Sequence, residues 1–343
     1  MSVASVKRIL VVGCGGISNP WFDALKANPR AKVAGLVDLR IETARAQAEK
    51  HQLDAPVFDN LKAALKAVRP DAVLDLTIPD AHTPTTVTAL KAGVPVLGEK
   101  PMASSMASAR KMVAAAEASG LLYMVSQSRR YDAKHAAIRD ALRSGALGDV
   151  TSLNCDFFLA AHFGGFRDEM DSPLILDMSI HHFDLCRFFS DLDPVAVYAH
   201  EYNPKGSWYK GDVAASVVFE MSGGAVFTYS GSWCSESNPT SWHGDWRIQG
   251  VKGAVVYAKD ADPTAARVAP DATPGFSLKT EPLAVPIPAD FVAGFSGSLA
   301  EFLDALERGR APQSECHDNI KSLAMVFAAI ESSKKGKRVL VKY

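Results

Sequence analysis

The sequence predicts an α/β fold: a doubly wound parallel sheet, followed by an α+β domain on an open, mostly antiparallel sheet. Three observations predict it. Up to about residue 127, short apolar runs alternate with Ala-rich helical segments. Beyond Gly148 the runs become rich in Val, Phe, Tyr and Trp and are joined by tight turns such as Ser222-Gly223-Gly224. At 343 residues the chain is long enough for two separate cores.

The elements follow in order. Strands are expected at 8–13, 32–38, 72–78, 94–98 and 121–126, with helices between them at 18–28, 41–51, 60–68, 82–92 and 104–119. Strands separated by helices of this length imply right-handed parallel crossovers. Ala92-Gly93 and Ser119-Gly120 each place a glycine just past a last helical turn. A helix at about 132–144 bridges to the second domain. Segments 150–162, 195–201, 213–221, 224–233, 245–249 and 253–258 read as an antiparallel sheet, interrupted by a helix near 174–190. The Pro-rich stretch 262–288 reads as a loop excursion. Helices at 290–308 and 317–334 and a short strand at 338–341 close the chain. The expected domains are 1–127 and 128–343, with the C-terminal helices free to pack back on the first.

Composition narrows the function classes. Hydrophobic residues make up 48% and charged residues 22%, as in ordinary globular proteins. A net charge of −1 leaves no basic field for nucleic acid or an anionic membrane. The five cysteines are scattered without Cys-x-x-Cys spacing, which argues against a disulfide framework or a zinc site and for a reducing compartment. Residues 1–7 run straight into the first strand without a signal peptide, and no apolar stretch reaches membrane-spanning length. The expected location is cytoplasmic.

The first strand delivers the chain into Gly13-Cys14-Gly15-Gly16-Ile17-Ser18, and Asp38 ends the next apolar run. Gly13 lets the backbone turn tightly, and Gly15 leaves room for a pyrophosphate. The helix starting at Ser18 points its N–H groups at the phosphates. Ser18 stands where a third Gly or Ala is usual and is small enough for close helix–strand packing. A carboxylate at Asp38 accepts the hydroxyls of an adenosine ribose. Together these predict a Rossmann domain that binds a dinucleotide. Asp38 repels a 2′-phosphate and so favours NAD; Arg40 is placed to pair with that phosphate and permit NADP.

Ligands in such sheets bind beyond the carboxyl ends of the strands. The residues that follow those ends include Thr77, Ile78, Pro79 and His82, then Glu99, Lys100 and Pro101, then Gln127. A lysine at a strand tip can polarise a carbonyl or share a proton with a hydroxyl; the plain alternative for Glu99-Lys100 is an exposed charge pair in a turn. Pro101 restricts Lys100 to extended geometry and is a candidate for a cis bond. In the second domain, Asp177, His181 and Asp184 stand at i, i+4 and i+7, one face of a helix. Asp177 is placed to orient His181 as a general base; a satisfied core hydrogen bond is the plain alternative. His182 points about a hundred degrees away. With no second ligand cluster, no metal is expected.

Gly-x-Gly-Gly-Ile, Glu99-Lys100-Pro101 and Asp177-x-x-x-His181-x-x-Asp184, in this order, resemble the glucose–fructose oxidoreductase/inositol dehydrogenase (Gfo/Idh/MocA) family over nearly the whole chain. The resemblance implies a catalytic Lys100 together with Asp177 and His181, and an aromatic-Arg pair, Phe166-Arg167, that reaches the cofactor. It also implies homodimers or homotetramers formed through the open sheet face. The chain departs from the family at Asp171-Ser172-Pro173, where a glycine run is usual, and at Ser179, where Gly is frequent.

The leading expectation is an NAD(P)-dependent dehydrogenase for a sugar, sugar derivative or polyol. In it His181 takes the hydroxyl proton, Lys100 binds the same oxygen and Asp177 holds His181. Arg167 is a candidate contact to both cofactor and substrate. His162 and Asp168 are candidate substrate contacts, against the alternative of a solvated polar loop. Trp208, Trp233, Trp242 and Trp246 offer aromatic faces to a sugar ring, although each packs as readily into the sheet or a subunit interface. The rivals are an NAD-assisted glycoside hydrolase and a non-catalytic sensor of NAD or sugar.

Overall fold

The computed structural model describes residues 6–343; Met1–Ser5, most of the N-terminal run read above, lie outside the described residues. The chain forms two compact units. One comprises the residues up to Tyr131 with Val292–Leu323, and the other Asp132–Phe291 with Ala324–Tyr343. Residues 292–323, within the expected second domain, cluster with the first unit. There Gly297 packs so tightly on Tyr131 that an added Cβ would lie 2.6 Å from the Tyr131 Cβ. Arg30 also pairs with Asp304 and Glu307 there.

The first unit contains a six-stranded sheet of β1 (Lys7–Val12), β2 (Ala31–Val37), β3 (Val57–Phe58), β4 (Ala72–Asp75), β5 (Val96–Gly98) and β6 (Tyr123–Val125). Its order is β3-β2-β1-β4-β5-β6, and every pairing is parallel. Ile9, Leu10, Val11, Val73 and Val96 are buried, as a sheet covered on both faces requires. The covering helices are α1 (Ser18–Ala27), α2 (Ile41–Lys50), α3 (Leu61–Val68), α4 (Pro79–Lys91) and α5 (Met106–Ser119). Order reverses between β1 and β4, which is the switch point where such sheets take ligands. Two residues of β3 escaped the sequence reading because a two-residue edge strand has no period to detect. α4 begins at Pro79 rather than at 82: β4 stops at Asp75, and proline is already set for the first helical position.

The second unit opens with α6 (Ala133–Arg143) and holds a nine-stranded mixed sheet. Its strands are β7 (Val150–Phe158), β8 (Pro194–Tyr202), β9 (Ala214–Met221), β10 (Val226–Ser232), β11 (Asp245–Gly250), β12 (Gly253–Tyr257), β13 (Thr264–Val268), β14 (Thr280–Leu283) and β15 (Val339–Leu340). The order is β14-β13-β12-β11-β7-β10-β9-β8-β15, antiparallel throughout except where β10 meets β7. The 262–288 stretch is therefore no mere loop: β13 and β14 pair within it, with Pro282 in the edge strand, where a missing N–H is tolerated. Alternation along β9 buries Val217, Phe219 and Met221 and exposes Ser216, Val218 and Glu220, so one face is covered and one is open. The buried face packs on α7 (Ile180–Ser190), whose residues are buried from Ile180 through Phe189; Phe183 meets Phe219 at 5.0 Å between ring centroids. The remaining helices are α8 (Gly294–Arg308) in the first unit and α9 (Cys316–Lys335), along which the chain passes from one unit to the other.

The expected helix at 174–190 is regular only in its second half. Leu174–Ser179 forms a π turn, and Ser179 Oγ donates to the Leu174 carbonyl five residues back at 3.1 Å. The hydroxyl offers that carbonyl a partner in the widened turn. The uniform α-helical spacing assumed for Asp177, His181 and Asp184 therefore does not hold across Asp177.

Candidate functional site

In the first unit the site is built at the β1/β4 switch point. Gly13 has φ +90°, its N–H donates to the Val37 carbonyl at 2.8 Å, and an added Cβ would lie 2.6 Å from the Leu76 carbonyl carbon and oxygen. Only glycine fits. Gly15 and Gly16 have open space where a Cβ would project. Ser18 is fully buried and donates its Oγ to the Gly15 carbonyl at 2.7 Å, so the hydroxyl ties the turn to the first turn of α1. Ile17 is exposed beside it.

Asp38 caps this arrangement. Its Oδ2 accepts from the Cys14 amide at 3.0 Å and its Oδ1 from the Arg40 amide at 2.9 Å. The carboxylate is thus anchored to the glycine turn before any ligand arrives, while the Arg40 side chain is exposed. Cys14 itself is a packing residue: burial, then the Asp38 charge, pushes its thiol up to about 12.

Beyond β4, a network invisible in the sequence holds two of the candidates. The fully buried Asp75 accepts from the Thr77 hydroxyl at 2.6 Å, the Thr77 amide at 3.1 Å and the Thr86 hydroxyl at 3.1 Å; His82 Nδ1 lies 3.1 Å from Oδ1. Thr77 and His82 are thereby brought within 3.2 Å of each other, while Ile78 stands 68% exposed just before Pro79. Beyond β5, Glu99 is 5% exposed; its Oε1 accepts from the Trp21 indole at 2.7 Å and its Oε2 from the Lys100 amide at 3.0 Å. Burial raises the Glu99 carboxyl above its ordinary value, opposed by Trp21 and Lys100. The half-buried Lys100 is followed by a cis bond to Pro101. Beyond β6, Gln127 is 1% exposed, and neither end of its carboxamide has a protein partner. Trp21, Asp75 and Thr86 were missed by the sequence reading; the one available signal was an acid inside the apolar run Ala72-Val73-Leu74-Asp75-Leu76.

These groups suit a dinucleotide. The turn is open at Gly15 and Gly16, a carboxylate is anchored beside it, and buried polar groups with unused capacity, Gln127 and His82 Nε2, follow the strand ends.

The second unit carries the other candidates. Asp177 lies in the π turn, and Arg167 Nε donates to its Oδ2 at 2.6 Å. The Arg167 guanidinium also lies over the Phe163 and Phe166 rings, 4.8 and 4.7 Å from their centroids. His181 is 8% exposed in the first turn of α7, and Asp184 is buried one turn further on. His182 belongs to the aromatic core, 4.7 Å from Phe157 and 5.5 Å from Tyr229 by ring centroids. His162 stacks on Trp208 at 3.7 Å and sets Nε2 3.0 Å from Glu236 Oε1. The backbone carbonyl of Asp168 accepts from the Lys210 amide at 2.8 Å. Tyr209, pushed up to about 12 by burial and then by Asp168, donates its hydroxyl to the Ala161 carbonyl. Trp233 and Trp246 are core residues, Trp208 is half-buried and Trp242 is 46% exposed.

Residues 7–127 match the family model described as "Oxidoreductase family, NAD-binding Rossmann fold", and residues 135–256 match the GFO/IDH/MocA C-terminal domain. An inositol 2-dehydrogenase of Arthrobacter sp. is 28% identical, over 98% of this chain and 96% of its own. The D-apiose dehydrogenase of Paraburkholderia graminis is 26% identical, over 99% of this chain and 92% of its own. An oxidoreductase from Agrobacterium radiobacter, solved with NAD+, L-tartaric acid and magnesium, superposes with a TM-score of 0.86 at 20% identity, covering 98% of this chain and 99% of that one. That last likeness is one of fold.

Proposed function

Because the chain belongs to the GFO/IDH/MocA oxidoreductase family and carries its NAD-binding Rossmann domain, we propose that it oxidises a hydroxyl of a sugar, sugar derivative or polyol, or reduces the matching carbonyl. The observation that carries the cofactor half is Asp38, held by the Cys14 and Arg40 amides at the mouth of the glycine turn. The substrate class is supported by relatives named for inositol and D-apiose.

Bound NAD supplies a hydride acceptor. The turn from Gly13 to Ser18 would offer amides to the pyrophosphate, and Asp38 would accept the ribose hydroxyls. Thr77, Ile78, Pro79, His82, Glu99 and Gln127, at the following strand ends, would hold the remainder. His181 takes the proton from the substrate hydroxyl as the carbinol hydride departs, and Lys100 binds the same oxygen and balances its developing charge. Asp177 holds His181, and Arg167 holds Asp177. NAD is favoured over NADP because a carboxylate at residue 38 repels a 2′-phosphate. Assembly as a homodimer or homotetramer uses the open sheet face of the second unit, where Tyr198, Tyr202 and Val218 are exposed.

The test is a screen of polyols and aldoses at alkaline pH, with NAD and NADP in separate wells, read by absorbance of the reduced cofactor. Lys100→Ala and His181→Ala are run beside it. Turnover that disappears in both variants while NAD still binds supports the assignment. A protein that binds NAD but reduces none across the panel sinks it.

A further inference from the structure

Glu315, Cys316 and His317, where α9 begins, bring a carboxylate, a thiol and an imidazole together, and the mechanism above uses none of them. Among the described residues they are the one group of Cys, His and carboxylate side chains close enough to share a metal ion, with all three ligand atoms within 4.8 Å of one another. Three adjacent residues match no spaced ligand motif, so the sequence gives no sign of the set.

The donor atoms converge. Cys316 Sγ lies 2.8 Å from Glu315 Oε1 and 3.6 Å from His317 Nδ1, and Nδ1 lies 2.8 Å from the same Oε1. Around a tetrahedral zinc, with Zn–N at about 2.0 Å and Zn–S at about 2.3 Å, a nitrogen and a sulfur stand roughly 3.5 Å apart. The sulfur and the imidazole already have that spacing, and the carboxylate oxygen has less than about 1 Å to recede. Thiolate, imidazole and carboxylate are ligand types that zinc takes, and the sulfur disfavours magnesium or calcium.

The backbone under the set is fixed. The Val125 amide, at the end of β6, donates to the Ser314 carbonyl at 3.0 Å, and the Ser314 hydroxyl donates to the Val125 carbonyl at 2.6 Å. The Glu315 carbonyl accepts from the Asp318 and Asn319 amides at 3.0 and 2.9 Å, and its Oε2 from the His317 amide at 2.9 Å. Cys316 is fully buried while the His317 side chain is 52% exposed, so the set opens to solvent on the imidazole side.

Behind the imidazole stands Glu117 of α5, 200 residues away in sequence, with Oε1 at 3.0 Å from His317 Nε2. A metal-bound histidine almost always donates its other ring N–H to a carboxylate, carbonyl or water, which fixes the tautomer and leaves one nitrogen bare for the metal. With Nε2–H on Glu117, the bare nitrogen is Nδ1, the one that faces Cys316 and Glu315.

We propose that Glu315, Cys316 and His317 bind one divalent cation of the zinc class, with Glu117 orienting His317. None of the four belongs to the dinucleotide turn or to the catalytic set, so the proposal stands apart from the reaction assigned above. Burial and then the Glu315 hydrogen bond push the Cys316 thiol up. Coordination reverses that bias, because a metal-bound thiol is deprotonated outright; its proton leaves to solvent and water fills the fourth position. About half an elementary charge at the α9 N-terminus opposes a bare cation, and the thiolate with the Glu315 and Glu117 carboxylates more than offsets it. Held there, the ion ties the start of α9 to β6 and α5.

The whole chain, carrying no histidine tag, is titrated with CoCl2 and read by absorbance, then challenged with ZnCl2. The expected result is a single equivalent of cobalt, a thiolate-to-cobalt charge-transfer band in the near ultraviolet, and displacement of both by zinc. Cys316→Ala is expected to lose the band, and Glu117→Gln to keep it while binding cobalt about 10–100-fold more weakly. A cobalt spectrum without the band, or a band that survives Cys316→Ala, overturns the proposal and leaves His317 as a surface ion pair with Glu117 and Glu315. Should Cys316→Ala not fold, His317→Ala decides at an exposed position: a loss of cobalt affinity at least as large as that of Glu117→Gln supports the site, and unchanged affinity overturns it.

Discussion

Arg167 donates its Nε to Asp177 Oδ2 at 2.6 Å while its guanidinium rests on two aromatic rings, Phe163 and Phe166. The cation is therefore fixed from two sides, and it fixes the carboxylate in turn. Replacing Arg167 by Met removes a charge-assisted hydrogen bond worth about 1.5–3 kcal/mol, which corresponds to a loss of roughly 10–100-fold in kcat/KM. Arg167→Lys recovers the charge but not the stacked fork and falls in between. Steady-state kinetics check this; an Arg167→Met enzyme within two-fold of wild type refutes it.

The Asp38 anchor makes a prediction about cofactor choice. Asp38→Ser leaves the Cys14 amide near a smaller acceptor and removes the repulsion toward a 2′-phosphate. The expected result is a KM for NAD raised about ten-fold, for the loss of roughly one charged hydrogen bond, with NADP turnover rising as Arg40 becomes available to it. An unchanged ratio of NAD to NADP efficiency is the contrary result.

Trp21 and Glu99, 78 residues apart, form a buried pair. Trp21→Phe leaves Glu99 Oε1 without its donor, at a cost of about 1–3 kcal/mol. The pH dependence has a definite sign. Glu99 in the folded state has its carboxyl raised, so the folded protein keeps a proton that the unfolded chain releases, and stability falls as pH climbs above the unfolded value. Losing the indole N–H raises the carboxyl further and steepens that fall. Urea midpoints at pH 5 and pH 8 measure it; a deficit that is the same at both pH values contradicts the account.

Gly211→Ala tests the contact of the 210–212 loop with residues 168–171 without touching a charged group. With the added Cβ directed at the Met170 and Asp171 carbonyl oxygens, at 2.2 and 2.3 Å, the backbone must shift, and the bonds from the Lys210 amide to the Asp168 carbonyl and from the Asp212 amide to the Asp171 carbonyl weaken. Residues 168–171 join Arg167 to the turn of Asp177, so a loss of about 1–3 kcal/mol should be accompanied by a lower kcat. Full activity with unchanged urea midpoints would contradict this.

Cys14 stands in the glycine turn yet is not a reactive thiol. Buried and raised to about 12, it has essentially no thiolate at pH 8. Iodoacetamide at that pH is expected to label the half-buried Cys234 first and to leave NAD binding intact. Mass spectrometry finding Cys14 as the first site labelled would contradict this.

By itself the sequence determined the nucleotide half of this protein. A Gly-rich turn, the strand before it and the acid after it are set by local backbone sterics and by hydrophobic period, both of which act over a few residues. It also determined the change of architecture beyond Gly148, since alternation within each strand is local as well. Tertiary structure decided what depends on distant segments meeting. It set the Asp75 network that joins Thr77 to His82, and the Trp21 indole on Glu99. It returned Val292–Leu323 to the first unit and seated Glu201 under Ser172. The π turn that carries Asp177 falls between these cases: its residues are contiguous, but the assumed helical spacing fails there. The physical reason is that a polar side chain is satisfied only by the groups that burial brings against it, and nothing in a residue's immediate neighbours announces which groups those are. The place of Asp38 was legible because it ends a strand; the burial of Glu201, at an equally ordinary place on β8, was not, because it follows from what covers it.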